Sequence, residues 1–129
     1  MESFRYHDLG RIAYADALEY QTAAFEVLLD AKATGKKEYN QLFFCEHLPV
    51  LTIGKSGKDS NLLIPEETLR ERGVSFYHIN RGGDITYHGP GQITGYPVFD
   101  LEYWNLGLKQ YIHMLEETII RFLSLYDLK

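Results

Sequence analysis

A single cysteine, Cys45, is all the thiol this chain has, which excludes an internal disulfide and a multi-thiolate zinc site. No apolar run approaches the roughly 18 residues that a membrane span requires. Positive charge is in deficit: 13 Lys and Arg against 18 Asp and Glu give a formal net charge of −5. General nucleic-acid binding needs a basic footprint that is absent here, so neither nucleic acid nor membrane is an expected partner. The N-terminus, MESFRYHDLGR, has no basic-then-apolar leader, and the expected compartment is the cytoplasm. Histidines are few and scattered: His7, His47, His78, His88 and His113 have no compact ligand spacing and no HExxH. No metal site is expected from them. Nucleotide signatures are lacking too. GPGQITG misplaces the third glycine of a dinucleotide fingerprint, and GKS at 54–56 lacks the earlier glycine of a phosphate loop, because Pro49 stands there.

What remains is an ordinary globular composition rich in aromatic residues, with 10 Tyr and 7 Phe in 129 residues. That length suits one domain with a real core. The pattern predicts a first strand over 3–9, then a helix from Tyr14 to about Lys32 with Ala17, Leu18, Ala24, Phe25, Leu28 and Leu29 at helical spacing. Gly35 is its expected cap. QLFFCEH is apolar on both faces and suits a central strand. Pro49 breaks it, VLTIG resumes a strand ending at Gly54, and KSGKDSN is a polar loop. Pro65 opens a short helix with Gly73 at its end, and VSFYHIN returns as a strand. Asp84–His88 and Gln92–Phe99, joined by GPG, read as a β-hairpin, with Pro97 at an edge or strand end. Asn105 is the expected cap of a last helix whose apolar stripe is Leu108, Ile112, Leu115, Ile119, Phe122, Leu123 and Tyr126. Mixed helices and strands point to an α/β or α+β sheet domain. Because the sequence stops at LYDLK straight after that amphipathic element, more of the domain is expected beyond it.

The densest signal is RGGDITYHGPGQITGYPVFDL, Arg81 to Leu101. A tight turn alone would explain GPG but not the whole run. Gly82 and Gly83 let backbone N–H groups approach a ligand and form an anion- or carbonyl-binding concavity, while Arg81 adds a fork of donors. Thr86 and His88 present a hydroxyl and an imidazole, and Tyr87 walls an apolar groove. Donors at a carbonyl and apolar walls along a chain suit an acyl group. Cys45, inside an apolar strand, reads as a small buried hydrophobe. Its alternative as a nucleophile would need exposure and a cationic neighbour, although His47 shares its strand face.

This long run resembles the signature of the lipoate-protein ligase B family, the octanoyl-[acyl carrier protein]:protein octanoyltransferases. EHLPVLTIG, residues 46–54, resembles that family's earlier Glu-His-x-Pro-x-x-Thr-x-Gly element, and the order and separation of the two blocks fit. The resemblance implies the biotin/lipoate protein ligase catalytic-domain fold (class II aminoacyl-tRNA synthetase-like), a mixed sheet with packed helices. Residues 1–129 would be the N-terminal part of that single domain, about half of it. It implies transfer of octanoyl from octanoyl-acyl carrier protein to a lysine of a lipoyl domain, without ATP or another cofactor, through a thioester on an enzyme cysteine. The acceptors would be lipoyl domains of 2-oxoacid dehydrogenases and the glycine cleavage H protein.

The same resemblance makes Arg81, Gly82, Gly83, Asp84, Ile85, Thr86, Tyr87 and His88 the substrate-binding wall, with His47, Gly89 and Gln92 in support. The family's catalytic Lys-Ile-(Ala/Cys) and Asn-Pro-Cys-Gly elements do not occur in these 129 residues. The nucleophile and the lysine that lowers its pKa are therefore expected beyond Lys129, and this chain alone is not expected to transfer acyl groups. Lys55, Lys58 and Arg81 are the candidates for a basic patch toward an acidic carrier protein. Two alternatives stay open: an ATP-dependent lipoate or biotin ligase relative, and a non-catalytic acyl-binding module.

Overall fold

A kink at Leu48–Pro49 organises the architecture. In the computed structural model, which describes residues 4–128, one extended run bends there and becomes the central strand of two different sheets. Upstream lies β2 (Gln41–His47) and downstream β3 (Val50–Ile53). Pro49 has no N–H for a ladder, so the break falls where the sequence puts it. β2 takes β1 (Arg5–Ile12) as a parallel neighbour and β6 (Ile93–Val98) as an antiparallel one. β3 takes β4 (Ser75–His78) in parallel and β5 (Ile85–His88) antiparallel. Among the described residues this gives two three-stranded mixed sheets, β1-β2-β6 and β4-β3-β5. The expected mixed α/β class holds.

The expected hairpin does not form. Gln92 N–H does close a turn onto the Gly89 carbonyl at 3.1 Å, but the strands on either side part company. β5 pairs with β3, Val50 facing His88 and Ile53 facing Ile85, whereas β6 pairs with β2, Phe44 facing Gly95. Local pattern and turn chemistry are those of a hairpin; the two central strands offer longer-range partners, and those win. Pro97 does lie in an edge strand, opposite Leu42.

Helix α1 (Tyr14–Thr34) ends at Gly35, whose left-handed φ of 68° lets its amide and that of Lys36 turn back onto the last carbonyls. Its buried face is Tyr14, Ala17, Ala24 and Ala31, while Leu18, Phe25 and Leu29 of the expected stripe are exposed. The alanines recur every seven residues and carry no side-chain bulk, so the helix sits close on the sheet. Tyr20 approaches Phe43 and Tyr14 approaches His47 on that face of β2. The first strand runs further than expected, to Ile12, through a register shift between Asp8 and Arg11, where Gly10 has φ 60°; Ser3 lies outside the described residues. Helix α2 (Glu66–Glu71) follows Pro65 as expected. The polar loop before it holds a 3-10 turn at Asp59–Asn61.

The chain divides into two compact units, Met1–Val98 and Phe99–Lys129. In the second, Asp100 caps a 3-10 turn over Leu101–Trp104 by accepting from Glu102 N–H at 3.1 Å. Asn105 ends that turn rather than starting the next helix. It sits at φ 53°, ψ 42°, a left-handed conformation that Asn tolerates better than most residues. Helix α3 (Leu108–Ser124) starts after Gly107 instead, and its apolar stripe, Leu108 to Leu123, is exposed.

Candidate functional site

Where β3 ends, the two sequence blocks lock together. The amides of Gly54, Lys55 and Ser56 donate to the carbonyls of Asp84, Arg81 and Gly83 at 3.2, 2.8 and 3.3 Å. Only glycine fits at position 54. A Cβ there would stand 2.5 Å from the Gly83 carbonyl oxygen, 2.8 Å from that of Arg81 and 2.9 Å from that of Gly82. The GKS amides therefore face another segment of the protein. Arg81 folds back over the same segment. Its Nη2 donates to the Thr52 carbonyl (3.0 Å), the Thr52 hydroxyl (2.9 Å) and the Asp84 carbonyl (2.8 Å), and its Nη1 to the Gly82 carbonyl at 2.8 Å. Thr52 is 0% exposed. The Asp84 carboxylate is held from the other side by Asn61 Nδ2 at 2.6 Å, and Asp59 pairs with His78 at 2.8 Å. Gly83 has φ +87° and needs to be glycine; Gly82 has open space around it.

From this clamp β5 carries Ile85, Thr86, Tyr87 and His88 along β3, with Thr86 in register with Thr52. Tyr87 is exposed, and Ile85, Thr86 and His88 are partly so. Gly89 is buried, because the Tyr87 ring lies where its Cβ would be. His88 Nδ1 meets Gln92 Oε1 at 2.5 Å. With the amide oxygen accepting, Nδ1 carries the hydrogen of this bond. Gly91, at φ +88°, donates its amide to Glu46 Oε2 at 2.8 Å, which ties the turn to β2.

His47, expected in support, is 0% exposed and sits at the end of β2. It shares a 2.6 Å hydrogen bond between Nε2 and the Tyr96 hydroxyl, and the Cys45 sulfur lies 3.6 Å from the same nitrogen. Its ring centroid is 5.5 Å from that of Tyr14 and 5.8 Å from that of His88; Tyr77 lies 5.1 Å beyond Tyr14. Burial pushes His47 below the ordinary imidazole value, His88 adds to the effect, and the Ile12 backbone partly offsets it. Burial also raises the phenols of Tyr14 and Tyr96, Arg81 opposing it at Tyr14. Cys45, 4% exposed, has its thiol pushed up by burial and by Asp8. His47, Tyr96 and Cys45 form a hydrogen-bonded cluster with the Tyr14 ring against the imidazole, and His47, the two phenols and the thiol are neutral near pH 7. A buried thiol with a raised pKa, beside a neutral imidazole, is a packing group and not an activated nucleophile.

The structure thus brings Arg81–His88, Gly89 and Gln92 together with His47 along one path. Lys55 and Lys58 are exposed on the adjoining loop, whereas Arg81 is turned onto its own backbone. Thr52, Gly54, Tyr14 and Tyr96 were not singled out as site residues by sequence reasoning. The Thr-x-Gly spacing in EHLPVLTIG carried a signal for the first two; nothing local marks Tyr14 or Tyr96. A separate cleft of about 460 Å³, lined by Tyr6, Asp8, Arg11 and Phe44 among others, lies on the face of β2 that carries Phe44 and Glu46. Among the described residues no three of His, Cys, Asp and Glu converge to hold a metal, and no helix is long and apolar enough to cross a membrane.

Comparison with known proteins places the chain. It is similar to the octanoyltransferase of Parabacteroides distasonis, 99% identical over 129 residues, which are 100% of this chain and 58% of that protein. It is 52% identical to the octanoyltransferase of Porphyromonas gingivalis over 126 residues, 98% of this chain and 26% of that one. With the octanoyltransferase of Bacteroides fragilis it shares 50% over 119 residues, 92% of this chain and 54% of that one. The chain therefore spans well under two thirds of the length of these relatives. A solved structure, protein Ta0514 of T. acidophilum, overlays on 73% of this chain and 37% of that chain, with a TM-score of 0.46 and 16% identity. The model of the lipoyl protein ligase A/B catalytic domain matches residues 6–129, and the chain belongs to that family.

Proposed function

We propose that this chain is the substrate-binding portion of an octanoyltransferase and does not complete the reaction alone. The observation that carries the reading is its 99% identity, along its whole length, to a longer octanoyltransferase. In that reaction a cysteine thiolate attacks the thioester carbonyl of octanoyl-acyl carrier protein and releases the carrier's thiol. A lysine amine of a lipoyl domain, on a 2-oxoacid dehydrogenase or a glycine cleavage H protein, then attacks the new thioester. An amide forms and the cysteine thiol is released. Both steps need an activated nucleophile close to donors for the oxyanion. The only thiol here is the buried, protonated Cys45.

The chain's contribution is the wall: Arg81–His88 held rigidly at the end of β3, with exposed Tyr87 and the neutral His47–Tyr96 pair beside His88. An octanoyl group, apolar with one polar end, matches such a surface. The cytoplasm, where carrier protein and acceptors meet, is the compartment that fits this role.

Incubation with octanoyl-acyl carrier protein, followed by mass spectrometry, tests the reading. The longer Parabacteroides distasonis protein should acquire an octanoyl adduct and pass it to a lipoyl domain, and the present chain should acquire none. An adduct on Cys45, or ATP–pyrophosphate exchange dependent on octanoate or lipoate, would overturn it.

A further inference from the structure

We propose that Arg81 is a positioning residue, which sets the shape of the substrate wall through Thr52 and Asp84 without touching the substrate. The inference rests on the reading of Arg81–His88 as that wall, and specifies which member holds it.

Both Nη atoms of Arg81 are engaged by oxygens of its own chain. Nη2 is shared among three oxygens and Nη1 is given to the Gly82 carbonyl, all four within 3.0 Å. A guanidinium presents its donors in a fixed plane, so one group can bridge the end of β3 and both ends of the Gly82–Asp84 turn. An ammonium is a point charge and cannot span those four oxygens. Thr52 supplies the fixed end. It is fully buried, and its hydroxyl and carbonyl meet Arg81 where water has no access. Losing the guanidinium would leave that hydroxyl unpaired.

The carbonyls of the turn are also held from the β3 end. Those of Arg81 and Gly83 accept from Lys55 and Ser56, and that of Asp84 accepts from both Gly54 and Arg81. Every carbonyl from Arg81 to Asp84 is thus tied to the β3 end or to the guanidinium, or is crowded against Gly54. The Thr-x-Gly of one block and the Arg-Gly-Gly-Asp of the other are two halves of one clasp. Its output is the direction in which β5 leaves, and hence where Tyr87 and His88 stand.

Two variants test this, Arg81→Lys and Thr52→Val, the second being nearly isosteric and removing only the hydroxyl acceptor. Hydrogen exchange at the amides of Gly54, Lys55 and Ser56 in the present chain should accelerate on the order of tenfold or more in Arg81→Lys, the loss of a charge-assisted bond. It should accelerate by a smaller factor in Thr52→Val, with the β2–β6 amides unchanged in both. In the longer Parabacteroides distasonis octanoyltransferase, the equivalent Arg81→Lys should lower kcat with KM for octanoyl-acyl carrier protein changed by less than about twofold. Unchanged exchange at residues 54–56 in both variants, or a raised KM with kcat retained, would overturn the proposal. Should the unsubstituted longer protein fail to transfer octanoyl, the proposed function falls, while the exchange measurement still decides the clasp.

Discussion

Replacing Gly54 by alanine isolates the contact between the two sequence blocks. The added Cβ would stand 2.5–2.9 Å from three backbone carbonyl oxygens, of Gly83, Arg81 and Gly82. None of them can rotate away as a flexible side chain would. Either β3 or the 81–84 turn must retreat, and the three amide–carbonyl bonds from Gly54, Lys55 and Ser56 lengthen together. At a net ~0.5–1.5 kcal/mol each, their loss amounts to about 3 kcal/mol, which is also the upper range for inserting a methyl into a packed site. Neighbouring glycines give internal controls. Gly83→Ala forces a Cβ into the left-handed region at φ +87° and should cost about 1–2 kcal/mol. Gly82→Ala meets nothing within 4 Å and should stay within about 0.5 kcal/mol of the parent. The assay is urea unfolding followed by far-ultraviolet circular dichroism. Fluorescence of Trp104 would report the Phe99–Lys129 unit instead. With a slope of about 1–3 kcal/mol/M, the Gly54→Ala midpoint should drop by about 1–3 M. If Gly54→Ala unfolds within 0.5 kcal/mol of Gly82→Ala, by that same scale of surface substitutions, the interlocking argument is wrong.

Three further outcomes are expected. His47 has its pKa lowered in the folded state from an ordinary 6.5, so the unfolded chain takes up the proton first as pH falls. Its stabilising contribution is complete above pH 6.5 and shrinks as pH drops toward the folded value. Subtracting the stability–pH curve of His47→Gln from that of the parent should reveal this slope, and parallel curves would contradict it. Tyr96→Phe removes the hydroxyl bonded to buried His47 at 2.6 Å and should cost about 1–3 kcal/mol in urea unfolding; a change under about 0.5 kcal/mol, the scale of an unremarkable surface substitution, would mean that the bond contributes nothing. Cys45, buried and with its thiol pushed up, should react with a thiol-selective disulfide reagent only slowly in the native chain and stoichiometrically in denaturant. Immediate native reaction would refute its burial.

Much of the fold was legible because its signals are local. Gly35 ends α1 for want of a Cβ, Pro49 interrupts a strand, and Pro65 precedes α2. The failures are where partners are distant in sequence. GPG between two strand-like runs has the chemistry of a hairpin turn, yet β5 and β6 choose β3 and β2, which only the folded sheets bring near. Asn105 resembles an N-cap by position but adopts a left-handed conformation that closes a 3-10 turn. At the site, the glycine-dense segment was visible as a unit. That Arg81 points inward was not, since a guanidinium reads alike whether it faces a ligand or four oxygens of its own chain. Tyr14 and Tyr96 join His47 from α1 and β6, and no spacing along the sequence encodes that meeting.

The turn at Gly89–Gln92 also fixes a length. On one side of it His88 faces Val50 in the second sheet; on the other Ile93 faces Glu46 in the first. The return path between Glu46 and Val50 runs through His47, Leu48 and Pro49. The two crossings are therefore the rails of a closed ladder with rungs in both sheets. One residue inserted into either rail alone would shift a strand by one position and turn its side chains to the opposite face. On β6 that would take Tyr96 away from His47. Substitutions can accumulate at solvent-facing positions such as Pro90, but gaps cannot. Descendants of this segment should differ in letters and agree in length, except where both rails have changed together.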